Sequence, residues 1–179
     1  MTWTDQIGNL LKQYTSGGAA AAPAPDVHAH FDQVAEAAPS SALAEGLSAA
    51  FKSDQTPAFG QMLSTMFNNS SGEQKAGIIN QILSSVPPGT LTSLLSGAGL
   101  AGILGGGTST GTPQVTPEQA QKLSPEAVQQ LATQAHNADP SIVDSVSNFY
   151  AQHSTLIKTL GGTALTIALA KVAEKQRQA

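Results

Sequence analysis

At 179 residues, with a net charge of −4 and 40% hydrophobic, 4% aromatic and 11% charged residues, the chain is long enough to bury a core. Its charge content is well under the roughly 25% usual for soluble domains. Absence of cysteine excludes a disulfide framework and a thiolate metal site, and eight Lys/Arg against twelve Asp/Glu exclude the dense basic face of a nucleic-acid binder.

The first predicted element is a short amphipathic helix over residues 4–15, inside an N-terminal segment 1–16. Ile7, Leu10, Leu11 and Tyr14 share one face at i, i+3, i+4 and i+7, with Trp3 just ahead. Residues 17–25, Gly-Gly-Ala-Ala-Ala-Ala-Pro-Ala-Pro, have the composition of a flexible tether that stiffens at its Pro end. The first helix is therefore expected to be an appendage, free to dock on a partner or a surface. The opening Met-Thr-Trp-Thr-Asp-Gln lacks the basic and apolar regions of a secretory signal, so a cytoplasmic location is expected.

Residues 26–104 read as a helical block. Asp26 is placed to cap a helix carrying Phe31, Val34 and Ala35; a second helix covers residues 41–52 with Leu43, Leu47, Ala50 and Phe51. A third covers residues 57–67 with Phe59, Met62, Leu63 and Met66, and Asn68-Asn69 ends it. Ser70 and Glu73 have capping-box spacing and open a fourth helix to about Ser85, where Val86-Pro-Pro-Gly stops it. Leu91–Leu104 is a further helix candidate, and residues 105–115 read as a Gly/Ser/Thr/Pro linker.

The C-terminal block, residues 116–179, is punctuated by Thr116-Pro-Glu, Ser124-Pro-Glu and Asp139-Pro. Each places an N-cap residue before a Pro at the first helical position. In a last helix from about Ser154 to Lys175, Leu156, Leu160 and Ile167 share one side, and Leu165, Leu169 and Val172 nearly the opposite one. A helix apolar on two sides is buried on both, which makes it a bundle centre, an oligomer seam or an interfacial membrane helix. Nowhere does the chain alternate with period two for long enough to argue a strand. The predicted class is all-α: a small multi-helix bundle with a flexible N-terminal appendage and a Gly-rich central linker.

From Ala76 to Pro117 the chain runs forty-two residues without a charge. Charge keeps a segment in water and monomeric, so its absence points to burial, self-association or lipid contact. Gly97-Ala-Gly-Leu-Ala-Gly102 matches G-x-G-x-x-G, but no strand precedes it and a linker follows, so no dinucleotide and no other cofactor is implied. Gly97, Ala101 and Gly105, spaced by four, would instead make a smooth helix face for close backbone approach. With Leu156, Leu160, Leu165, Ile167 and Leu169 they form the expected association surface. Among Asp26, His28, His30 and Asp32, the two histidines diverge by about 200° on a helix and cannot chelate one ion together. Only the pairs Asp26/His30 and His28/Asp32 share a face, so no metal site and no catalytic residue is expected.

The Gly/Leu segment Gly97–Gly107, the helix start Pro117–Gln119 and the second start Ser124-Pro-Glu resemble the YidB-like bacterial proteins of unknown function. The resemblance covers residues 78–135 and implies a small helical bacterial protein, without transferring any functional residue. The residues themselves point to a non-enzymatic helical interaction protein acting through self-association, as a homo-oligomer, or through a protein partner. The alternative is a membrane-peripheral protein anchored by the N-terminal amphipathic helix, the Gly-rich segment and the basic C-terminal helix.

Overall fold

The computed structural model describes residues 3–16, 26–97, 102, 114–157 and 159–178. The tether 17–25, Ala101, Gly105 and linker residues 105–113 lie outside that set. Among the described residues the regular structure is helical and no strand occurs, so the fold is all-α. Two compact units are present, Met1–Pro57 with Ser147–Ala179, and Ala58–Val146. The blocks 26–104 and 116–179 each contribute to both.

The first unit contains α1 (Trp3–Ser16), α2 (Val27–Ala37), α3 (Ser40–Phe51), α10 (Ser154–Ile157) and α11 (Gly162–Gln178). Its centre is α11, which packs against α3, α1 and α2. The α3/α11 crossing is close because Gly46 has no side chain. A Cβ there would lie 2.6 Å from the Ala168 carbonyl oxygen and 2.9 Å from Val172 Cγ2. Leu47, Ala50, Leu165, Ala168, Leu169 and Val172 fill the layer around it. At the end of α11, Lys175 pairs with Glu45 of α3 and Lys171 with Glu174 at 2.7 Å.

Two expectations are corrected here. The helix expected from Ser154 to Lys175 is interrupted: α10 ends at Ile157, and α11 begins only at Gly162, after Gly161. Adjacent glycines carry the largest helix cost of any residue but proline, and they break the pattern between Leu160 and Leu165. The first helix is not a free appendage. Its Ile7, Leu11 and Tyr14 are buried against the rest of the unit, because an amphipathic face in water gains by covering the apolar surface nearest to it.

The second unit contains α4 (Phe59–Asn68), α5 (Gly72–Ser85), α6 (Pro88–Gly97), α7 (Pro117–Gln121) and α8 (Pro125–Ala138). Here α4 and α6 pack on α8, and α5 packs on α7. Phe67, Leu63, Met66, Ile79, Ile82, Leu83 and Leu131 are fully covered. Gly60 meets the Gln129 carbonyl and Thr133 of α8, a second close crossing. Asn80 clips the returning chain: its Nδ2 donates to the Val115 carbonyl at 3.1 Å, and its Oδ1 accepts the Val115 N–H at 2.7 Å. α9 (Ile142–Ala151) runs across the division between the units.

Thr116 and Ser124 cap α7 and α8 as their sequence contexts predict; Thr116 and Gln119 form a reciprocal capping box. The box opening α5 is Ser71 with Gln74, not Ser70 with Glu73. Ser70 is engaged elsewhere, its hydroxyl donating to the Met66 carbonyl at the end of α4. Asp139 does not open α9 directly. It closes α8, and its Oδ1 accepts the Ser141 N–H one residue before α9 starts.

Candidate functional site

In the first unit, α1 packs its apolar face on the rest of the unit. α1 carries Ile7, Leu11 and Tyr14 at i, i+4 and i+7, with relative exposures of 3%, 1% and 6%, while Leu10 is half-buried at the margin. The accepting elements are α11 and α2. Tyr14 adds a polar latch: its hydroxyl lies 2.7 Å from His30 Nδ1 on α2, and the two rings meet edge to face at 5.9 Å.

Burial, and secondarily the charge of Asp26, push the Tyr14 phenol above its usual range. It therefore keeps its proton at neutral pH, and the Tyr14–His30 hydrogen bond is made by the neutral phenol. His30 is held in place by its position in the first turn of α2, where its N–H donates to the Asp26 carbonyl at 2.9 Å. His28 is exposed and on a different face. Among the described residues no group of three or more His, Cys, Asp or Glu is positioned to hold a metal ion.

The residues expected to form an association surface lie elsewhere. Leu156, Leu160, Leu165, Ile167 and Leu169 are buried inside the first unit, with exposures of 6%, 3%, 0%, 7% and 0%. Side chains covered within the protomer are not free to make a second contact. Gly97 ends α6, and Ala101 and Gly105 are outside the described residues.

In the second unit, Glu126, Gln129, Gln130, Thr133 and Gln134 line an open hollow of about 380 Å³ along α8. Three of these five residues are glutamines, but the surface with which they line it is mostly apolar; the Thr133 hydroxyl donates to the Gln129 carbonyl at 2.7 Å, and Glu126 is the one carboxylate among them. It offers no nucleophile–base pair.

The sequence placed Tyr14 on the docking face, but the Tyr14–His30 bond was not legible in it. The shared face of Asp26 and His30 was the one hint that this turn of α2 has a polar role. Among the described residues no helix is long and apolar enough to cross a membrane. No family model, no curated protein and no solved structure matches the chain.

Proposed function

We propose that this is a non-enzymatic helical interaction protein that works by association, with itself or with a protein partner. The observation that supports it most directly is the docking of α1. A unit built around α11 accepts an amphipathic helix through three buried anchors and a tyrosine–histidine latch. Presenting anchors at i, i+4 and i+7 to an apolar groove is a recurring mode of helix recognition. The YidB-like resemblance of residues 78–135 belongs to the same proposal and adds no functional residue to it.

Peripheral membrane contact is the second reading, favoured by the same α1 face and by Lys175 and Arg177 in the last turn of α11. It requires α1 to leave its groove, and Lys171 and Lys175 are already paired with Glu174 and Glu45. Light scattering coupled to size exclusion, run over a concentration series with and without anionic liposomes, tests both readings. Self-association predicts a mass that rises above 18.2 kDa with concentration. Membrane contact predicts co-elution with liposomes. A constant mass and no co-elution would remove self-association and membrane binding together.

A further inference from the structure

We draw no further inference here: the strongest candidate, the open hollow along α8 beside Glu126, Gln129, Gln130, Thr133 and Gln134, has all five of these residues on one helix, and nothing in the structure shows what covers it.

Discussion

Tyr150 is the most deeply buried tyrosine, and its hydroxyl finds no hydrogen-bond partner among the described residues. Its ring meets Phe149 edge to face, and Phe149 in turn stacks on His153 at 4.6 Å, so the aromatic body is well placed while its polar tip is not. A buried hydroxyl without a partner costs about 1–3 kcal/mol, and Tyr150→Phe should therefore stabilise the protein by about 1 kcal/mol. Urea denaturation at unchanged slope measures this; a lower midpoint would mean that the hydroxyl has a partner after all. Asn80 is the opposite case. Both halves of its amide are used on the buried Val115 backbone, and Asn80→Ala strands an N–H and a carbonyl. That substitution should cost about 2–3 kcal/mol by the same measurement.

Among the elements, the α3/α11 crossing is set by the absence of a side chain. Gly46→Ala gains about 1 kcal/mol of helix propensity but drives a methyl into the Ala168 carbonyl. Overpacking against backbone costs about 1–3 kcal/mol, so a net loss of up to about 2 kcal/mol is expected. Gly89 in α6 is the control, since a Cβ there meets nothing within 4 Å. Gly89→Ala should be neutral or stabilising by up to about 1 kcal/mol, and equal thermal shifts for the two variants would contradict the crossing geometry. Leu165, fully covered on α11, should cost about 2–5 kcal/mol on truncation to alanine. The melting temperature should fall while the mass in solution stays constant, because the residue is buried inside its own unit.

For the whole molecule, the two tyrosines are the only phenols in the chain, and burial pushes both above their ordinary range. A phenol whose folded pKa exceeds its unfolded value of about 10 holds its proton longer when folded. Its contribution to stability is complete below that value and is lost as pH rises toward the folded pKa. Alkaline titration should therefore show unfolding coupled to phenolate absorbance above about pH 10, with Tyr150→Phe weakening the coupling. Simple ionisation of both tyrosines in a folded chain would refute this.

The chain by itself determined the class. Low aromatic and charge content, apolar spacing near 3.6 residues, and the cap signals at Thr116 and Ser124 are local properties, and local properties are what a helix needs. It also determined the two-sided apolar character of the last helix. Only the tertiary structure decided what covers those sides, that Gly161–Gly162 interrupts the helix, and that α1 is docked. The residues that meet at these places are far apart in sequence, as Gly46 is from Ala168, Asn80 from Val115 and Tyr14 from His30. Periodicity reports which face of a helix is apolar, but the identity of the face it meets depends on shape complementarity between distant segments.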